Sequence, residues 1–89
     1  MIKQTITIIN KLGLHARAAA KLVHLASRFE SESKLIRGNK VVNGKSIMGV
    51  MMLAASKGAE IELVVEGADE AETMQALVDL INNRFGEAE

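Results

Sequence analysis

Between Glu60 and Glu66 aliphatic and acidic side chains alternate, with Ile61, Leu63 and Val65 on one parity and Glu60, Glu62 and Glu66 on the other. Successive side chains of a strand leave opposite faces, so this pattern specifies a strand with one buried and one wet face. Something apolar must cover the buried face. A second alternation opens the chain, where Ile2, Ile6 and Ile8 are interleaved with Lys3, Thr5 and Thr7 before Asn10-Lys11-Leu12-Gly13 breaks the pattern. Two shorter runs, Ser33–Arg37 and Lys40–Val42, flank Gly38-Asn39, a pair that tolerates the positive φ of a tight hairpin turn.

The cover comes from segments with helical period. From about Ala16 to Phe29, residues Ala19, Leu22, Val23, Ala26 and Phe29 share one face, with Lys21 and Arg28 outside it. Ser46 can cap a short helix running through Leu53, after which Ser56-Lys57-Gly58 ends the unit. After Gly67, Asp69 is expected to cap a last helix whose first turn carries Glu70 and Glu72, favourable to the macrodipole. Its stripe is read as Ala71, Met74, Leu77, Val78 and Ile81, with Gly86 just past its end. The element order is βαββαβα. With helices segregated to one face of a four-stranded, mainly antiparallel sheet, the expected fold is an α+β two-layer open-faced sandwich. No Pro, repeat or low-complexity stretch marks a linker, so residues 1–89 are read as a single domain.

Size and composition narrow the function. A chain of 89 residues buries only about 60–65% of its unfolded surface and has no room for a catalytic core enclosing its own substrate cavity. No apolar run approaches the roughly 20 residues of a membrane helix, and Met1-Ile2-Lys3-Gln4 does not begin a secretory signal. The absence of Cys removes disulfides, thiolate metal sites and thiol nucleophiles, and suits the cytoplasm. With two Phe and neither Trp nor Tyr, stacking platforms for single-stranded nucleic acid are almost lacking. Formal charge is zero, but residues 1–58 hold ten Lys/Arg against two Glu (+8) and residues 59–89 hold one Arg against nine Asp/Glu (−8). That asymmetry fits either a basic surface steering an acidic or phosphorylated partner, or simple solvation with internal pairing. Neither reading makes a duplex-binding domain, which normally carries a positive excess. No nucleic acid, membrane insertion, cofactor or metal is expected.

The segment Leu12-Gly13-Leu14-His15-Ala16-Arg17 carries chemistry. Gly13 supplies a flexible turn, and His15 stands at the N-cap of the first helix. An imidazole there faces the free N–H groups of the first turn and the positive end of the helix dipole, a field that favours the neutral, nucleophilic ring. Were the ring to take a phosphoryl group, the backbone of Ala16, Arg17 and Ala18 and the Arg17 guanidinium are placed to hold its oxygens. On spacing alone, because His-x-Arg is a weak pattern, a surface histidine that happens to start a helix is the favoured reading. His24, on the polar flank of the same helix, has no neighbouring Cys, Asp or second His and reads as a solvated residue.

A second segment, Lys45-Ser46-Ile47-Met48-Gly49-Val50-Met51-Met52-Leu53, holds three of the five Met. Its short helix is apolar all round, more than one core-facing stripe requires. Either it is wholly buried, or Ile47, Met48, Met51 and Met52 form an adaptable partner-binding patch. A phosphate on Ser46 would sit beside that patch, tolerated by the helix start and repelling an acidic partner.

Together, Gly13-Leu14-His15-Ala16-Arg17 and Lys45-Ser46-Ile47-Met48-Gly49-Val50 at this spacing resemble the HPr family. These are the histidine-containing phosphocarriers of the bacterial phosphoenolpyruvate-dependent phosphotransferase system, including its nitrogen-branch paralogue. The resemblance runs the whole chain and implies the fold just described and a carrier in place of a turnover enzyme. It implies that His15 takes a phosphoryl group on Nδ1 from phospho-enzyme I, itself charged by phosphoenolpyruvate, and passes it to an enzyme IIA domain. Arg17 would help hold the group, and residues 47–52 would supply apolar contacts to both partners. Ser46 matches a serine that an HPr kinase/phosphorylase marks in some lineages, and a monomer is expected. One position departs from the pattern, since Ala18 stands where the family usually has Pro. Ala keeps helix propensity and adds an N–H, so fold and phosphate binding should survive, with loop rigidity the property at stake. The alternative is a non-catalytic regulatory paralogue that acts by binding target proteins, against which the retained His15 argues.

Overall fold

The computed structural model describes residues 1–88. Its strands are β1 (Ile2–Thr7), β2 (Glu32–Arg37), β3 (Lys40–Asn43) and β4 (Glu60–Glu66), and its helices α1 (Ala16–Ala26), α2 (Ile47–Met52) and α3 (Glu70–Asn82). All strand pairings are antiparallel and the sheet order is β1-β4-β2-β3, which puts the last strand of the sequence between two earlier ones. The expected α+β two-layer sandwich is the observed fold, with the core between one sheet face and the three helices.

Register follows the alternation. Ile61 pairs with Ile6, Leu63 with Leu35, and Val65 with Ile2 and Ser33. Ile61, Leu63 and Val65 are buried, whereas Glu62 and Val64 between them are half-covered and Glu60 and Glu66 at the ends are exposed. Each such aliphatic side chain contributes roughly 1.5–3 kcal/mol on burial, and a one-residue slip would turn all three to water. The β2–β3 turn has positive φ at Gly38 alone (60°), the first central residue, as a two-residue hairpin turn with leading Gly requires.

Several expectations about the helices are corrected. The first helix stops at Ala26, short of Phe29: the amides of Arg28 and Phe29 bond three residues back, to Leu25 and Ala26, tightening the chain out of the helix. Phe29 is half-buried beyond that end, and its carbonyl accepts from Lys45 Nζ at 3.0 Å. Asp69 occupies the N-cap position of α3, but its side chain makes no capping bond. The carboxylate instead accepts from the backbone N–H groups of Glu30 (3.0 Å) and Ser31 (2.9 Å) and from the Ser31 hydroxyl, latching the α1–β2 loop to the start of α3. Ala71 is exposed, and Thr73 takes its place among the buried residues because its hydroxyl is satisfied by the Asp69 carbonyl at 2.8 Å.

Beyond α3 the chain makes one further 3-10 turn, Arg84–Gly86, in which φ is positive throughout (54°, 55° and 79°). Gly86 therefore belongs to a separate turn and does not directly end the helix. A left-handed Phe is costly. Here the Phe85 side chain is fully buried and its carbonyl accepts from Lys21 Nζ at 2.6 Å, which fixes the C-terminal turn against α1.

The Asp69 carboxyl is lowered from 3.8 to about 2, first by the Ser31 hydroxyl and then by the Glu30 amide. A depressed folded pKa contributes stability that is complete above the unfolded value and lost as pH falls through the folded one. The melting temperature should therefore decline between about pH 4 and pH 2, and Asp69→Asn should flatten that decline while lowering stability at neutral pH. Thermal scans over this range by circular dichroism check it; parallel acid limbs for the two proteins would exclude the latch as the cause.

Candidate functional site

The loop before α1 is pinned to the segment after α2. Gly13 has φ of 66°, and a Cβ there would lie 2.4 Å from the Ala55 carbonyl oxygen and 2.8 Å from Ser56 Cα. Only glycine meets both demands. The next amide, of Leu14, donates to the same Ala55 oxygen at 2.9 Å, and the Leu14 side chain is buried. With its two preceding residues fixed, His15 enters α1 as N-cap in extended conformation (φ −72°, ψ 176°), its carbonyl accepting the Ala19 amide at 2.8 Å. The amides of Ala16, Arg17 and Ala18 thus precede the helical ladder, as at any helix start.

The His15 ring makes no capping bond. It turns toward the C-terminal segment, where Nε2 meets Glu87 Oε2. The other Glu87 oxygen accepts from Asn10 Nδ2 at 3.1 Å, and the same Asn10 nitrogen donates to the Gly13 carbonyl at 2.8 Å. Asn10 is fully buried, and its Oδ1 has no hydrogen-bond partner among the described residues. Donation from His15 and then from Asn10 holds the Glu87 carboxyl below the usual carboxylate range.

His15 and Arg17, paired in the sequence reading, line one open cleft of about 500 Å³ together with Lys11, Leu12, Glu87 and Ala88. The Arg17 guanidinium is exposed and makes no hydrogen bond or ion pair among the described residues, so it is available to an anion. Ala16 is exposed, whereas the Ala18 methyl lies in the core. A larger groove of about 720 Å³ shares Lys11 and Ala88 but contains neither histidine. His24 is exposed in the last turn of α1, and no group of three or more metal-binding side chains occurs among the described residues.

The Ser46 hydroxyl caps α2 by accepting from the Gly49 amide at 3.1 Å. Of the apolar residues in α2 only Val50 is buried. Met48 (70% exposed) and Met52 (65%) project to solvent, with Ile47 and Met51 more sheltered beside them. The helix is therefore not wholly buried, and α2 presents an exposed apolar surface. Its C-terminal carbonyls are held by Arg37, which donates to Leu53 (2.9 Å) and Ala54 (3.2 Å), and by Lys40, which donates to Met52 (3.3 Å).

Two site residues escaped the sequence reading, Glu87 and Asn10, whereas Leu12, from the segment already singled out, is 67% exposed at the rim of the His15 cleft. Glu87 lies 72 residues from His15, so no spacing rule links them. The one signal was Phe85-Gly86, an aromatic anchor and a turn residue after the helix.

A histidine at a helix start and an arginine without a partner among the described residues thus share an open cleft that does not enclose a cavity. The family model for the HPr component phosphorylation site of the phosphotransferase system matches residues 2–83. The phosphocarrier protein HPr of Neisseria meningitidis (serogroup A) is 63% identical over 89 residues, covering all of both chains. The crystal structure of HPr from Thermoanaerobacter tengcongensis superposes with a TM-score of 0.96 at 52% identity over the whole of both chains. Crh, the catabolite repression HPr of Bacillus subtilis, whose crystal structure is a swapped dimer, gives a TM-score of 0.76 at 42% identity, covering 94% of this chain and 97% of that one. The chain belongs to the HPr phosphocarrier family of the phosphotransferase system.

Because the Gly13 contact is with backbone, it cannot relax by moving a side chain. Gly13→Ala should cost roughly 2 kcal/mol and displace the His15 loop. Urea unfolding and the amide spectrum of residues 12–18 measure both effects; an unchanged midpoint and spectrum would remove the pin.

Proposed function

We propose that the chain is a stoichiometric phosphoryl carrier that accepts a phosphoryl group on His15 Nδ1 from phospho-enzyme I and donates it to an enzyme IIA domain. The carrying observation is the His15 cleft: a partly exposed imidazole at a helix start, beside an unpaired Arg17, in a site open enough for a partner to complete. As the donor's P–N bond breaks, the Nδ1 lone pair forms the new P–N bond and the donor imidazole leaves. No cofactor or metal takes part. Such transfer needs positioning and charge stabilisation above all. The Arg17 guanidinium and the first-turn amides of Ala16, Arg17 and Ala18 supply these on the carrier's side. A P–N bond to histidine is labile, so the group remains transferable.

Ile47, Met48, Met51 and Met52 form the docking patch for both partners, supported by their exposure on α2, a helix that packs on α1. Ser46 is the regulatory site for an HPr kinase/phosphorylase. Its hydroxyl is half-buried in the cap, so α2 must loosen there for the kinase, and the resulting dianion would stand at the edge of the patch. The carrier works as one cytoplasmic domain and as a monomer; no helix among the described residues is long and apolar enough to cross a membrane. A regulatory paralogue acting by binding alone is the second reading, favoured by the likeness to Crh. Retention of His15, Arg17 and their cleft favours the carrier.

Incubation with enzyme I and phosphoenolpyruvate should add one acid-labile phosphoryl group, measured by intact mass, and His15→Ala should abolish it while the fold is kept. Full labelling of that variant would move the site, with His24 the next candidate. Ser46→Asp should slow charging about tenfold, equivalent to roughly 1.4 kcal/mol of repulsion at the docking surface. An unchanged charging rate would remove Ser46 from regulation.

A further inference from the structure

The C-terminal segment reaches the nucleophile through a chain of contacts that the carrier reading does not use. Phe85 anchors the turn in the core, Lys21 holds its carbonyl, and two residues later Glu87 presents one carboxylate oxygen to His15 Nε2 and the other to buried Asn10. Asn10 also binds the Gly13 carbonyl, so carboxylate and His15 loop are fixed to one amide group. A carboxylate accepts only, and hence the proton between Glu87 and the ring belongs to Nε2. In the neutral ring this leaves the lone pair on Nδ1.

We propose that Glu87 is a positioning residue for phosphoryl transfer: it holds the His15 ring as the Nε2–H tautomer, presents the Nδ1 lone pair to the donor, and offsets the positive charge the ring gains as the N–P bond forms. The proposal rests on His15 being the phosphoryl acceptor. In the step itself the Nε2 proton stays in place, Nδ1 supplies the electron pair, and the donor imidazole leaves with the pair from its own P–N bond. Before reaction the charged groups around the ring are Glu87 on one side and Arg17 and Lys11 lining the same cleft, with Lys21 near the Glu87 carboxylate. Glu87 meets the ring at Nε2, away from Nδ1, which leaves Arg17 and the first-turn amides to take the phosphoryl oxygens. Anion-holding and cation-holding groups are thus divided between the two nitrogens, which keeps a carboxylate next to His15 from repelling the group it is to receive.

The test uses the full chain with the ring nitrogens of His15 labelled with 15N. Above the ring's titration, the wild-type spectrum should show Nε2–H and an unprotonated Nδ1. In Glu87→Ala the two nitrogen shifts should converge as the Nδ1–H form becomes populated. Charging by phospho-enzyme I should then show kcat falling about tenfold, the order of one charge-assisted hydrogen bond, at little-changed KM. Glu87→Gln, which keeps an acceptor oxygen, should restore part of that loss. A merely structural tail would move neither the ring shifts nor kcat apart from KM. A ring spectrum unaltered by Glu87→Ala overturns the assignment, as does an altered spectrum with an unaltered kcat. Wild-type protein that takes no acid-labile phosphoryl group would refute the carrier reading instead, a distinct result.

Discussion

Burial of Ile61, Leu63 and Val65 on β4 organises the molecule, because β4 is the last strand made and yet lies between β1 and β2. Inserting the fourth strand beside the first returns the chain to its own beginning. From there α3 runs back across the sheet, packing on β1, β4 and α1, and delivers the Arg84–Gly86 turn to the flank of α1. The meeting of Glu87 with His15 is thus a consequence of strand order, not of any local motif. Had β4 paired at the β3 edge, the C-terminal segment would end far from the start of α1.

A second constraint ties the site to the apolar patch. Gly13 and Leu14 rest on Ala55, just beyond the end of α2, and Arg37 and Lys40 from the β2–β3 hairpin close the carbonyl end of that helix. The positive φ of Ala54 (52°) lies at the junction, where its carbonyl is one of those Arg37 holds. Loop, helix end and hairpin form one unit. On the proposed reading this lets a partner that docks on Met48 and Met52 find His15 at a fixed distance, and lets a charge at Ser46 act on charging without touching the cleft.

How much was legible in sequence depended on the range of the interaction. Period-2 alternation gave β1 and β4 with their faces, and Gly38-Asn39 gave the hairpin, because these are properties of neighbouring residues. The His15 N-cap and the Ser46 cap were legible for the same reason. Asp69 failed as a helix cap because its carboxylate found better donors in Glu30 and Ser31, 39 and 38 residues away, a competition no local pattern reveals. Ala71 failed because Thr73 could satisfy its hydroxyl within α3 and enter the core. Glu87 and Asn10 were missed entirely, since their roles exist only once the two ends of the chain are packed together. The charge asymmetry shows the same division: the acidic C-terminal portion supplies Glu70 to the N-terminal amine and Glu87 to His15, and Arg17 stays unpaired among the described residues.

On the proposed reading a phosphoryl group resides on Nδ1 of His15 and is held by the start of α1. Heteronuclear NMR of the charged protein, with 31P–15N correlation and amide proton shifts, tests it most directly. The account predicts a one-bond correlation from phosphorus to Nδ1 of His15, with downfield movement of the Ala16, Arg17 and Ala18 amides. Correlation to Nε2 or to His24, or amides of the first α1 turn that do not move, would contradict it.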